Sequence, residues 1–435
     1  MTDHSKSEAT LTVVSSLNDI ARDDWDACAN PEGLARRLGP GESSNQHGEI
    51  APGAQPDCER EMPTIGDARS GLEYNPFLSH DFLWSLEESG SATRKTGWLG
   101  QHLVLAGADD RPAAILPCYL KSHSMGEYVF DGGWANAFEQ AGGRYYPKLQ
   151  VSVPFTPVTG RRLLVRPGPD AGQHRAVLVQ GLATLAANLG VSSAHATFLP
   201  EDEWNLFGEA GYLRRTDQQY HFHNDGYRDF EDFLAALSSR KRKAIRRERR
   251  DALADGIKIV HLTGRDITEA DWDTFFQFYM DTGSRKWGRP YLNRRFFSLI
   301  GERMADRILL VMARRNGRAI AGALNLIGSD ALYGRYWGTV EDHPFLHFEV
   351  CYYQAIEWGI GHGLARVEAG AQGEHKLARG YRPAATYSAH WIANASFRRA
   401  VSDYLEQERR QVDRDSEVLS SYLPFRVMEQ TEPDG

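Results

Sequence analysis

The sequence predicts an α/β protein with mixed sheets, formed by a unit that occurs twice. Two observations carry that prediction. Short apolar runs separated by polar turns recur in the same order in both halves, at an offset of 207 residues (Val104 to Val311, Phe130 to Trp337). In each half they lead into an apolar segment of helical length, a further strand and a Gly-Tyr pair, now at an offset of 169 residues (Gly211 to Gly380, His221 to His390). Consecutive strands joined by polar turns such as Asn316-Gly317 form hairpins. A helix crossing between two strands adds a parallel pair. Together these give a mixed sheet flanked by helices, once per half.

Taken in order, Val13 to Ala29 reads as a strand and the start of a helix. Residues 30–72 are polar, rich in Gly, Pro, Ser and Glu, and show neither period, so they read as a flexible insert. Structure resumes at Asn75-Pro76-Phe77-Leu78-Ser79-His80. The runs Leu103 to Ala106, Arg111 to Ala114 and Tyr128 to Phe130 are predicted strands and turn, repeated at Leu310 to Ala313, Arg318 to Ala321 and Arg335 to Trp337. The difference between the two offsets, 38 residues, falls around Tyr145 to Asp170. Ala176 to Leu189 is an apolar helix stopped by Gly190-Val191-Ser192-Ser193, and Ala194 to Leu199 a strand; Phe348 to His362 and Ala365 to Ala369 are their counterparts. The window from Ala176 to Pro200 carries no charge. Its helical part is shorter than the roughly 20 residues a bilayer requires, so no membrane span is expected. The polar start, Met1 to Thr10, lacks the apolar core of a signal peptide. The charged stretch from about Glu406 holds one helix and frays after Pro424. The chain thus divides into the start of the first unit (1–29), the insert (30–72), the first unit (73–227), the second unit with the active site (228–400) and a C-terminal helix and tail (401–435).

Apolar residues are 41% of the 435 and charged residues 25%, which excludes a disordered, collagen-like or coiled-coil chain. Fifty basic and 58 acidic residues leave a net charge of −8, with a pI near 6.0, so any anion binding must come from a local patch. Cys28, Cys58, Cys118 and Cys351 lie far apart with no C-x-x-C. Neither a disulfide framework nor a cysteine zinc site is expected, and a reducing cytoplasm is the natural home.

Four constellations can carry chemistry. Eight basic residues and one acidic lie between Arg240 and Arg250, after Ser239, a candidate N-cap. Arg240, Lys241, Arg242 and Lys243 oppose the dipole of the helix they begin, a conflict that a bound phosphate relieves. Tyr279 to Leu292, with Arg285, Lys286 and Trp287 between glycines, reads as a mobile loop able to cover and stack on a ligand. A strand through Gly334 to Thr339 puts Arg335 and Trp337 on one face and Tyr336 on the other; His347 and Glu349 open the next helix, with Tyr352 and Ile356 in the core. Finally, Val367 to Tyr381 is a strand ending in a glycine-rich turn crowded by Glu368, Glu374, His375, Lys376 and Arg379, where ligands commonly bind. Glu368, helped by Glu374 or His375, can take a proton from an attacking amine; Lys376 and Arg335 can hold a carboxylate or an oxyanion. No Walker A, G-x-S-x-G or G-x-G-x-x-G after a strand occurs, and no H-E-x-x-H spacing marks a metal site.

Several of these segments, with Tyr146-Pro147-Lys148-Leu149-Gln150, Pro154 to Leu164, Leu346-His347-Phe348-Glu349 and above all Glu368 to Lys376, resemble a bacterial family of predicted N-acyltransferases. That family is grouped with the FemAB-like proteins of the GNAT superfamily. The resemblance covers the chain except the polar insert and the tail. It implies two tandem GNAT-like domains and transfer of an acyl or aminoacyl group to an amine, with a peptidoglycan precursor as a possible acceptor. The co-substrate is then acyl-CoA or aminoacyl-tRNA, with no bound cofactor and no metal. The pyrophosphate-loop pattern Gln/Arg-x-x-Gly-x-Gly/Ala of ordinary GNAT acetyltransferases has no convincing counterpart, which counts against acetyl-CoA itself. Three rival readings are a non-catalytic tRNA or nucleotide binder, a scaffold for cell-wall precursors, and a metal-dependent hydrolase built on His347, Glu349, Glu374 and His375. The first half lacks a counterpart of Gly373-Glu374-His375-Lys376, so one active site is expected, in the second half or at the junction.

Overall fold

The computed structural model describes residues 10–31, 73–286, 290–370 and 373–426; for 284–286 and 374 it describes the backbone alone. In the first half the strands are β1 (Leu11–Val14), β2 (Trp98–Gly100), β3 (His102–Ala106), β4 (Pro112–Leu116), β5 (Tyr119–Lys121), β6 (Lys148–Val151), β7 (Leu164–Val165), β8 (Ser193–Leu199) and β9 (Leu213–His223). Its helices are α1 (Arg22–Ala29), α2 (His80–Glu88), α3 (Gly132–Gln140), α4 (Ala171–Leu189) and α5 (Glu201–Glu209). The second half holds α6 (Phe230–Ala236), α7 (Ser239–Ala252), β10 (Lys258–Thr263), α8 (Glu269–Lys286), α9 (Arg294–Met304), β11 (Ile308–Arg315), β12 (Arg318–Ile327) and β13 (Ala331–Thr339). Next comes α10, which starts as Leu346–Phe348, passes through a π-helical turn at Glu349–Tyr353 and ends as Gln354–Gly361. β14 (Arg366–Glu368), a 3-10 turn at Glu374–Arg379, β15 (Arg382–Ile392) and α11 (Ala395–Ser421) follow.

The local signals act as expected. Gly190 adopts φ +61° and stops α4. Asn316 and Gly317, both at positive φ, turn β11 into β12. Each long helix crossing joins parallel strands, β6 to β8 around α4 and β13 to β14 around α10. The helix expected to be capped by Ser239 starts at that residue, with Ser238 as its cap.

Two expectations fail. Tyr128 to Phe130 is not a strand: Tyr128 sits at φ +60° in an irregular loop, and β5 pairs with β6 instead. The sheets also do not divide one per half. β1, β3, β4 and β7 form a separate four-stranded sheet, while the other eleven strands make one sheet in the order β10-β11-β12-β13-β14-β9-β15-β8-β6-β5-β2. The last strand of each half crosses over: β9 lies between β14 and β15, and β15 between β9 and β8. Asp217 in β9 faces Thr386 in β15, its own counterpart 169 residues on, so the ladder is symmetric about that pair. Each crossing strand covers an edge that the other half would otherwise leave open.

The halves also share a core. Phe77 and Phe82 from the first pack edge-on against Tyr333 and Phe296 from the second, at ring distances of 5.3 and 5.8 Å. Arg303 adds an ion pair to Asp81 at 3.1 Å. Truncating Phe296, which is fully buried, to Ala is therefore expected to cost about 3–5 kcal/mol. Urea unfolding of that variant should show one transition reported alike by probes in both halves, because the lost contact belongs to both.

Candidate active site

The site begins with a defect in the sheet. Along β12 and β13, Leu324 faces Tyr336 while Asn325 faces Gly334, so Arg335 is the extra residue of a β-bulge. β13 runs parallel to β14 for three pairs, ending at Tyr333 opposite Glu368. Beyond that point the strands part. A cleft of about 560 Å³ opens there, lined by Gly334 to Trp337 on one side and Ala369 and Gly370 on the other. The first half supplies a second wall, Ser124 to Gly126 with Tyr128, Phe130, Phe155 and Pro157. Tyr279 and Tyr291 close another side, and His347, Cys351 and Tyr352 reach in from the start of α10 and its π turn. Asn325 is fully buried at the floor; its amide nitrogen donates to Leu309 O, and its Oδ1 has no hydrogen-bond partner.

Arg335 ties the two halves together across this cleft. Its Nε donates to Thr156 Oγ1 at 2.6 Å, and its Nη2 meets Glu368 Oε2 at 3.1 Å. The other Glu368 oxygen takes Arg366 Nε at 3.3 Å, and Arg366 also pairs with Asp330. Burial pushes the Glu368 carboxyl up, but His221, Arg335 and Arg366 outweigh it and hold it below the usual carboxylate range. His221 faces Glu368 from β9 and is itself lowered to about 4 by burial. Glu368 is thus a saturated carboxylate with both oxygens in use, a poor proton acceptor at neutral pH.

Lys376 is almost fully buried, and its ammonium donates to Gly370 O at 3.0 Å. Burial first, then the Arg335 charge, lowers it to about 7. Exposed His375 contacts the buried Tyr352 hydroxyl through Nε2 at 2.9 Å, which links the cleft to solvent. Arg379 stacks over Phe348 at 3.4 Å and pairs with Glu248 of α7 at 2.9 Å.

The sequence-predicted residues therefore fall into separate places. Arg335, Trp337 and His347 line the cleft; Glu368, His375 and Lys376 stand behind its wall. Glu349 does not face it: the carboxylate is fully buried against Arg249 at 3.0 Å and Gln354 at 2.6 Å. That commitment removes one of the four groups of the metal-hydrolase reading. Among the described residues no three His, Cys, Asp or Glu come together as a metal group. Arg240, Lys241, Arg242 and Lys243 occupy the first turn of α7, and none of them lines the cleft. Arg240, Lys241, Lys243 and Arg247 make no ion pair among the described residues, while Arg246 pairs with Glu231 and Arg249 with Glu349 and Glu357. Arg285 and Lys286 end α8, which replaces the first part of the expected loop; their side chains, Trp287 and the side chain of Glu374 lie outside the described residues. Sequence reading missed Tyr128, Phe155, Asn325 and Cys351. Only Phe155 lay in a segment marked by the resemblance.

With this geometry in hand, comparison with known proteins gives one family. Residues 60–427 match the FemAB-like family, described as peptidoglycan biosynthesis/recognition. The chain belongs to that family. A search of curated proteins finds no match. Among solved structures this FemAB-like protein is similar to FemX, at 11% identity and a TM-score of 0.47 over 73% of this chain and 93% of that one. It is also similar to L-PGS from Bacillus licheniformis, at 10% identity and 0.46, covering 84% and 100% of the two chains. A tandem GNAT protein from the clavulanic acid biosynthesis pathway matches at 13% identity and 0.42, covering 89% and 99%. The α/β class with mixed sheets is the expected one, and no helix of the described residues is long and apolar enough to cross a membrane.

Two expected outcomes follow from the charges. Glu368→Gln leaves the Arg335 guanidinium buried without its counter-charge, so it should lose about 3–5 kcal/mol in urea unfolding rather than spare the fold. Lys376→Met should be more stable than the parent below pH 7. The folded Lys376 titrates near 7 and the unfolded one near its ordinary value. The unfolded chain therefore binds more protons between these values, and the parent gains stability as pH rises through that window. Thermal unfolding from pH 6 to 10 should show the advantage of the variant shrinking.

Proposed function

We propose that this protein is an N-acyltransferase that moves an acyl or aminoacyl group from an activated donor, acyl-CoA or aminoacyl-tRNA, to an amine. A peptidoglycan precursor is the acceptor class that fits its family. The observation that carries this reading is the cleft at the parting of β13 and β14, with the Arg335 guanidinium in its wall and the Lys376 ammonium bonded behind Gly370. Attack of an amine on an acyl carbonyl places negative charge on the carbonyl oxygen. Fixed cations in a dry site stabilise that charge as it develops.

The proton released by the amine needs a route out. Tyr352 and His375 form one, with the hydroxyl at the cleft and the imidazole at the surface. In this reading Glu368 does not take the proton; it holds Arg335 in place. The unpaired cations of α7 are offered to donor phosphates on the outer face, since α7 packs on α10 and the 3-10 turn that carry the inner groups. A donor of either kind places the reaction in the cytoplasm.

The test is a transfer assay on the full chain with acyl-CoAs and aminoacyl-tRNAs as donors and UDP-linked peptidoglycan precursors or simple amines as acceptors, read by product mass. One donor class should yield product. Lys376→Ala should lower kcat by about 10²–10³-fold and Tyr352→Phe by a smaller factor. A folded protein that transfers nothing from any donor overturns the proposal.

A further inference from the structure

The lining of the cleft is selective in a way that the transferase reading, on which this inference rests, leaves open. We infer that the cleft takes an acyl or aminoacyl group whose chain is uncharged and apolar, aliphatic or aromatic, and excludes one whose chain ends in a cation.

The first argument is charge. None of the described lining residues is acidic. Two carboxylates beside the lining are engaged elsewhere: Glu368 by Arg335 and Arg366, and Glu127, between the lining residues Gly126 and Tyr128, by Lys148 at 2.6 Å. The lining instead contains a guanidinium, and the Lys376 ammonium is bonded to Gly370, itself a lining residue. A substrate ammonium would be stripped of water beside the Arg335 guanidinium and the Lys376 amine, with no acidic side chain among the described lining residues to receive it. Ring faces do attract cations, but that gain is smaller than the cost of burying an ion uncompensated.

The second argument is shape. Three tyrosines of the lining spend their polar ends on the protein. Tyr336 donates its hydroxyl to Phe155 O at 3.0 Å, Tyr279 accepts from Leu292 N–H at 3.1 Å, and Tyr352 contacts His375. What these three turn toward the cavity is ring surface. Phe155 and Tyr291, from opposite halves, stack at 4.9 Å and add a flat apolar wall. The apolar surface continues outward: Phe130 and Met125, both lining residues, are 66% and 54% exposed. Large apolar side chains left open to water beside a cavity mark a surface meant to be covered.

The experiment measures binding and needs no turnover. Isothermal titration of the full chain compares heptanamide with 6-aminohexanamide, which has the same chain length but ends in an ammonium. A series from butanamide to octanamide reports the response to added methylenes. Heptanamide should bind at least tenfold tighter than its ammonium counterpart, and each methylene should tighten binding about three- to fourfold. Phe130→Ala, a change at an exposed side chain that leaves the core alone, should weaken the longer amides severalfold. Equal or tighter binding of 6-aminohexanamide, a flat series, or no binding by any amide overturns the inference. Failure of the transferase reading looks different: heptanamide still binds, but no donor yields product. Transfer of an aminoacyl group whose chain ends in a cation, in preference to apolar ones, sinks this inference and leaves the transferase reading standing.

Discussion

The pairing of β9 with β15 is the constraint on which the rest of the structure depends. Each strand leaves its own half and completes the sheet of the other, so neither half can bury its edge alone. The exchange also sets the position of the cleft. β9 brings His221 opposite Glu368, and Glu368 holds Arg335, whose Nε reaches Thr156 of the first half. A site with walls from both halves is the direct result of strands that cross between them.

The duplicated frame carries different electrostatics on its two sides. The symmetry of the central ladder relates His221, opposite Glu368, to His390, opposite His195. In the second half that pair stands behind an open cleft with ionised partners. In the first half His195 and His390 contact each other through their Nδ1 atoms at 2.7 Å, and burial lowers His195 to about 3, so both rings stay neutral. The charge nearby, Lys148, is matched by Glu127 and Asp131. The first-half counterpart is therefore a closed network of matched charges, in which Glu127 Oε1 and Asp131 Oδ1 also lack hydrogen bonds, while the second half keeps Lys376 buried away from any described carboxylate and Asn325 Oδ1 unpaired beside the cleft. Groups left in such states are unfavourable for stability alone, and they are the ones expected where binding or catalysis is paid for by the rest of the fold.

Much of the fold was legible in local chemistry. The apolar helix ending at Gly190 and the Asn316-Gly317 hairpin, unlike the strands that follow the two Gly-Tyr pairs, which were not read from the sequence, each depend on neighbours along the chain. The 169-residue offset was legible for the same reason, since both copies of β9 and β15 keep the same pattern. The site was legible in part. Glu368, His375 and Lys376 stood out by crowding a glycine-rich turn, and Arg335 by its place on a strand. Their roles were not, because whether a carboxylate accepts a proton is set by what surrounds it. Two guanidiniums, one of them 33 positions earlier in the chain, and a histidine on a crossing strand hold Glu368 ionised. Glu349 shows the same limit: its partner Arg249 lies 100 residues away.

By itself, then, the sequence determined the α/β class, the repeated pattern, several of the helices and hairpins and the charged glycine-rich turn that stands behind the candidate cleft, because these follow from periodicity and from conformational preferences that act over a few residues. Only the tertiary structure decided that one sheet runs through both halves, that Tyr128 to Phe130 is a cleft wall and not a strand, and that Arg335 is the extra residue of a bulge. Those outcomes rest on pairings between distant segments, and on burial, which turns a lysine into a group titrating near neutrality and a glutamate into a fixed anion.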